Sequence, residues 1–140
     1  MKRDYLAVVK AIELCLIFLI FSSGTFAQEK QGQPRIDSLL AELQKAKEDT
    51  VKVELLRALS WEYRSIEPDT GLRYGLQALE LALKLKYAEG TADAHRYIAA
   101  NYYVKADFTK ALEHALKALE LHEAIGDKTG AQKSLNTILG

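Results

Sequence analysis

The sequence predicts an all-α protein built from stacked helix pairs, on three observations. Ala78-Leu79-Glu80-Leu81 recurs 40 residues later as Ala118-Leu119-Glu120-Leu121, and Gly90 recurs as Gly130. A fixed period of that size marks a stacked-repeat architecture. From Ile36 onward, apolar residues fall three and four apart, the spacing of one helix face. No run alternates polar with apolar, and no Asn-Gly hairpin signal occurs.

The first 27 residues differ from the rest. Lys2 and Arg3 make a basic start, Leu14 to Phe21 is an unbroken apolar run, and Ser22-Ser23-Gly24-Thr25-Phe26-Ala27 supplies small residues before a polar stretch. That order predicts a secretory signal peptide over 1–27, cut after Ala27, and an exported, periplasmic or extracytoplasmic protein. A spanning helix needs roughly 20 apolar residues, more than this run offers, so no stable membrane span is expected after cleavage. The alternative is an uncleaved membrane anchor. Cys15, the one cysteine, lies in the run, so the mature chain would lack both a disulfide and a thiolate metal site. Ile12, Glu13 and Leu14 before it are too large for a lipoprotein signal.

Residues 28–35 read as a polar linker, with Pro34 suited to a helix start. The helical domain is expected over 36–140. Ile36, Leu39, Leu40 and Leu43 define a first helix ending near Lys47, and Asp49 or Thr50 caps the next. That helix, about 50–65, carries Leu55, Leu56, Leu59 and Tyr63 on one face. Pro68 opens a helix over about 68–86 with Leu72, Leu76, Leu79 and Leu83 expected inside. A third pairing element covers about 91–104, with Ile98 and Tyr102. Asp107 caps a helix over about 108–124, with Leu112, Leu116, Leu119 and Ile125 expected inward, and Gly126 ends it. A last helix runs from about Thr129 to Leu139.

Small residues explain how the helices pair. Ala111, Ala115 and Ala118 form a narrow stripe, matched 40 residues earlier by Gly71, Gly75 and Ala78. Such a stripe lets a neighbour approach at the close end of the usual ~8–10 Å axis spacing. Gly in a helix costs roughly 0.5–1 kcal/mol relative to Ala, which close packing would offset. The alternative is a weak helix with no packing role.

These residues resemble the tetratricopeptide repeat, Trp-x2-Leu-Gly-x2-Tyr then Ala-x3-Phe-x2-Ala. In the second repeat Ile98, Ala99 and Tyr102 take the first-helix places, and Ala111, Ala115 and Ala118 the second-helix places; Phe108 fills the aromatic position, while His95 departs from the pattern. The first repeat matches through Leu59, Ser60, Tyr63, Gly71, Gly75 and Ala78, and a partial third through Leu135, Ile138 and Leu139. The resemblance implies an α-solenoid of antiparallel hairpins, with repeats at about 50–88 and 90–126 and a partial repeat at 128–140. Leu59-Ser60-Trp61-Glu62-Tyr63-Arg64 and Ile125-Gly126-Asp127-Lys128 look like exported sensor regions preceding bacterial histidine kinases or nucleotide cyclases.

The resemblance also implies a groove lined by the first helix of each pair. Its positions carry over to Arg57, Trp61 and Arg64, then Arg96, Tyr97, Ala100 and Tyr103, then Asn136. Arginine forks onto carboxylates and aromatics supply contact area at low entropic cost, a mixture suited to a protein or peptide ligand. The aromatics could instead pack between helices. The family's carboxylate clamp uses asparagine where Trp61 and Ala100 stand, which argues against capture of a chaperone's acidic tail.

Other chemistries find little support. Nineteen positive and nineteen negative side chains balance, and removing 1–27 (Lys2, Arg3, Lys10 against Asp4, Glu13) leaves 16 against 17. No basic stripe for nucleic acid results. His114 and His122 lie eight apart, too far for a zinc pair on one helix, and the three histidines are expected to be solvated or half-buried. Ser60, Ser134 and His95 show no nucleophile pattern, and no cofactor is called for. Leu135, Ile138 and Leu139 leave an apolar face on the last helix, where a solenoid end should be polar. A homodimer through this end, or a piece of a longer protein, would account for it. The expected function is a non-enzymatic, exported binding module of a signalling system; the alternative is a self-associating envelope assembly factor.

Overall fold

The computed structural model describes Lys10 and residues 33–139. The chain divides into units Met1–Gln33 and Pro34–Gly140. In the first, Lys10 is exposed and helical; the rest of the expected signal peptide, with its expected cleavage site and Cys15, lies outside the described residues. The second is all-helical among the described residues: α1 (Gln33–Leu43), α2 (Thr50–Tyr63), α3 (Pro68–Lys84), α4 (Ala88–Val104), α5 (Phe108–Ala124) and α6 (Lys128–Leu139). No described helix is long and apolar enough to cross a membrane.

Three-residue connections at 85–87, 105–107 and 125–127 leave each helix no choice but to fold back on its predecessor. From α2 onward every helix packs on the next, and α4 also touches α2 and α6. The result is a helical, repeat-like array. A core of Val53, Leu56, Ala78, Leu81, Ala82 and Ala94 joins α2, α3 and α4, with Leu43, Tyr74, Leu79, Leu85 and Tyr87 packed against it.

The helix ends follow local chemistry. Asp49 Oδ1 accepts the Lys52 N–H at 3.2 Å, and Asp107 Oδ1 accepts the Lys110 N–H at 3.2 Å. Each satisfies one of the donors a helix start leaves free. The C-terminal ends repeat every 20 residues. Lys86 (φ 55°), Ala106 (φ 60°) and Gly126 (φ 73°) are all left-handed. The N–H of the following residue donates to the carbonyl five positions back: Tyr87 to Ala82 at 2.9 Å, Asp107 to Tyr102 at 3.0 Å, Asp127 to His122 at 2.8 Å. This is the Schellman closure. It lets the next helix start at once, so α4 begins at Ala88 rather than 91. Elsewhere α1 starts at Gln33, inside the expected linker, and stops at Leu43 rather than Lys47, while α2 and α3 end two residues early.

The leucine faces differ most from expectation. On α3, Leu76 and Leu83 are 45% and 59% exposed, and on α5 Leu112 and Leu116 are 47% and 50% exposed. Leu72, Leu79 and Leu119 are only half-buried, and Ile125 is exposed. The small residues hold the inner faces instead: Gly71, Gly75, Ala78 and Ala82 on α3, and Ala111, Ala115 and Ala118 on α5. Each leucine sits one residue beyond a small one, a turn of about 100° on a helix with 3.6 residues per turn. Close approach of the neighbouring helices selects the small stripe and rotates the leucines outward. A Cβ on Gly75 would lie 2.9 Å from both Ile98 Cγ1 and Ser60 Oγ, nearer than real carbon contacts come.

Candidate functional site

Helices α2, α4 and α6 stand side by side and enclose an open cavity of about 310 Å³. Trp61 and Arg64 line it from α2 and its C-cap, Arg96, Ala100, Tyr103 and Val104 from α4, and Lys133, Asn136 and Thr137 from α6. Six of the eight expected groove residues therefore share one wall: Trp61, Arg64, Arg96, Ala100, Tyr103 and Asn136. They lie three or four apart along their helices, the spacing that puts side chains on one face.

Arg57 and Tyr97 are not part of that wall. Arg57 is buried, with Glu54 and Asp93 as ion-pair partners. Burial works against its charge, but Asp93, Glu54 and Tyr97 together outweigh it and raise its pKa. Tyr97 serves as a base for others. Its ring meets Trp61 edge-on at 5.6 Å, and the Arg57 and Arg96 guanidinium carbons lie 5.4 and 4.2 Å from its centroid. Such contacts hold cations and aromatics in fixed orientation.

Asp93 is the electrostatic centre beneath the cavity. Its Oδ2 pairs with Arg57, and its Oδ1 accepts from Arg96 Nε at 3.0 Å and Nη2 at 2.9 Å. Arg64 is held differently. Its guanidinium carbon lies over Trp61, 3.4 Å from the ring centroid, and Nη1 donates to the Trp61 carbonyl at 3.3 Å. Burial lowers its pKa, with Glu62 opposing. Lys133 is exposed and meets no carboxylate among the described residues. Asn136 Oδ1 accepts from Gln132 Nε2 at 3.2 Å, and the Asn136 side-chain N–H groups have no hydrogen-bond partner among the described residues.

Sequence reasoning missed Val104, Lys133 and Thr137. A signal for Lys133 was present: one period after Asp93 is Lys133, and one period after Arg96 is Asn136. The histidines also differ from expectation. His122 is fully buried, not solvated or half-buried, with Asp127 Oδ2 3.0 Å from Nδ1 and Asp93 Oδ1 3.6 Å from Nε2. Neither contact is aligned as a hydrogen bond. Gly130 makes room for this ring, since a Cβ there would lie 2.2 Å from His122 Nδ1. His95 and His114, from α4 and α5, bring their Nδ1 atoms to 2.9 Å, and Tyr102 stacks on His114. Burial and the neighbouring His114 lower the His95 pKa to about 4. Among the described residues, no three His, Cys, Asp or Glu side chains gather as a metal site.

A second polar knot ties α2 to α4. Asn101 is fully buried, and its Nδ2 donates to Ser60 Oγ at 3.0 Å, to Ser60 O at 3.3 Å and to Tyr97 O at 2.9 Å. It fixes the register of the two helices that supply most of the cavity wall.

No protein-family model matches the chain, and comparison with curated proteins and with solved structures finds no significant match.

Proposed function

We propose that this protein is an exported module of the tetratricopeptide type that binds a protein or peptide in the cavity between α2, α4 and α6. It acts as the sensory or scaffold part of a signalling system and does no chemistry itself. The observation that carries this reading is the cavity wall. Two exposed aromatics, Trp61 and Tyr103, stand among Arg64, Arg96, Lys133 and Asn136 around about 310 Å³ of open space. Concave sites with aromatic anchors and a few placed polar groups are where ligands bind. The repeat resemblance supports the architecture, and the order of residues 1–27 supports export.

Peptide display against the purified protein tests the binding reading, with a Trp61→Ala, Tyr103→Ala double variant as counter-screen. Selected peptides should bind the parent and lose about tenfold or more with the variant, since each anchor carries on the order of 1–2 kcal/mol. Peptides that bind both equally would remove the cavity as the site.

A second reading, self-association, is favoured by exposed apolar residues near the last helix. Leu139 is 80% exposed, and Phe108, Leu112, Leu116 and Leu135 are exposed as well. Light scattering across concentration checks it; a monomer throughout would count against a dimer through α6.

A further inference from the structure

We propose that the segment held in this cavity is acidic, with at least two carboxylate side chains flanking an apolar one. This rests on the binding reading above and adds the chemistry of the ligand. Every charged side chain lining the cavity is a cation: Arg64, Arg96 and Lys133. No Asp or Glu lines it, although the whole chain carries as many acids as bases. A pocket with one sign of charge focuses its field on the opposite sign.

The nearby acids are already engaged. Glu54 and Asp93 balance Arg57 and Arg96 within one network that is buried at Arg57 and exposed at Glu54. Glu62, the acid nearest Arg64 in sequence, pairs with Arg35 at 3.0 Å. Arg64 and Lys133 make no ion pair among the described residues, and the Glu62 charge, shared with Arg35, acts on Arg64 without a direct contact. Arg64 rests on an aromatic face, not a carboxylate. Lys133 stands where the preceding repeat has Asp93, so the partial third repeat reverses the sign that the second presents.

These two cations without an ion pair come from α6 and from the C-terminal end of α2, on either side of α4. Two cations so placed favour a ligand with two separated carboxylates over a single terminal one. Between them, Trp61 and Tyr103 expose ring surface for an apolar side chain. Arg96 has both Nε and Nη2 on Asp93, so that carboxylate aims the guanidinium and holds it in place.

The test uses the whole mature chain and short capped peptides with two leucines flanked by glutamates, glutamines or lysines, followed by fluorescence anisotropy. The glutamate peptide should bind about tenfold or more tightly than the glutamine peptide, with the gap closing as salt rises. Lys133→Glu, at an exposed position whose folding circular dichroism verifies, should weaken the glutamate peptide and strengthen the lysine peptide. Equal binding of all three peptides, with loss on Trp61→Ala, would overturn the acidic ligand and leave the cavity standing as a binding site. Binding only of an uncapped copy of the glutamine peptide, which ends in a free carboxylate, would also overturn it, in favour of terminal capture. If none of the peptides bound, while peptides selected by display did bind in the cavity, the acidic ligand alone would fall.

Discussion

On the inner face of α3 the stripe is Gly71, Gly75 and Ala78; on α5 the same places hold Ala111, Ala115 and Ala118. The difference follows from what crosses each stripe. At Gly71 the buried Asn101 amide and the Ser60 carbonyl come so near that a Cβ would sit 2.1 Å from Asn101 Oδ1 and 2.9 Å from Ser60 O. In the second hairpin the counterpart of Ser60 is Ala99, which offers no hydroxyl and forms no such knot. Glycine thus marks the place where a polar side chain is inserted between helices, and alanine the place where packing alone brings them together. The connections that follow the two stripes are alike, three residues at 85–87 and 125–127 with one left-handed residue each, whereas inside the hairpins four residues join α2 to α3 and three join α4 to α5.

Overfilling the second hairpin should have the largest effect. Ala115 is 1% exposed, so Ala115→Leu places a larger side chain where there is no space. We expect a loss of about 3 kcal/mol, the upper end for overpacking, read as a lower midpoint in denaturant unfolding. An unchanged midpoint would mean that α5 does not press on its neighbours at this position. The first hairpin should respond to a single carbon. Gly71→Ala gains about 1 kcal/mol of helix propensity but must displace Asn101 and Ser60, for a net loss of about 2 kcal/mol. Removing the obstructing amide should soften the effect: Gly71→Ala made in an Asn101→Ala background should cost less than in the parent. Equal costs in both backgrounds would break the contrast between the hairpins. Additivity of that kind is expected only for sites that do not touch.

The second hairpin carries its own polar link, the His95–His114 pair, and it should respond to pH. The His95 pKa is lowered from 6.5 to about 4 by burial, by His114 and by Lys117, with Glu113 opposing. Burial lowers that of His114, with Glu113 raising and Lys117 lowering it. A folded pKa below the unfolded one means that the neutral form contributes stability. That contribution is complete above about pH 6.5 and is lost as pH falls toward 4. Taken in full the shift would correspond to about 3 kcal/mol at 1.36 kcal/mol per unit. The ring is half-buried and still reached by water, and solvent screening reduces the effect to about 1 kcal/mol. The difference in stability between the parent and His95→Gln should therefore shrink between pH 7 and pH 4.5. A difference that stayed constant over that range would dissociate the pair from the stability of α4 on α5.

The two hairpins also show which parts of the structure were legible in the chain. The period, the small stripe and the caps Asp49, Asp107 and Gly126 depend on local chemistry, and each was readable from a few neighbouring residues. The exposure of Leu76, Leu83, Leu112 and Leu116 was not, because each of those helices carries two stripes about one residue apart and only the neighbouring helix decides between them. Six of the nine cavity residues were legible through the repeat resemblance, which carried its groove positions onto them, and not through any pattern of their own. Lys133 was missed because Asn136 was the one groove position carried over to the partial third repeat. His122, His95–His114 and Asn101 were illegible for a different reason. Each is a contact between residues nineteen or more positions apart, or a burial imposed by another helix, and no single-helix pattern records it.

The smallest effect belongs to the helix ends, where three places with one geometry carry three different residues. Lys86, Ala106 and Gly126 all adopt positive φ, and only glycine does so without a Cβ pressing on its own backbone, a penalty of roughly 1–2 kcal/mol for other residues. Ala106→Gly removes that penalty, but the unfolded chain regains backbone freedom worth about 0.5–1 kcal/mol. The net should be a gain of a few tenths to about 1 kcal/mol, seen as a slightly higher midpoint. Lys86→Gly should give a similar gain, while Gly126→Ala should lose as much. If Ala106→Gly were destabilising, the closure between α4 and α5 would have to draw on the Ala106 methyl, and the three helix ends would no longer be equivalent.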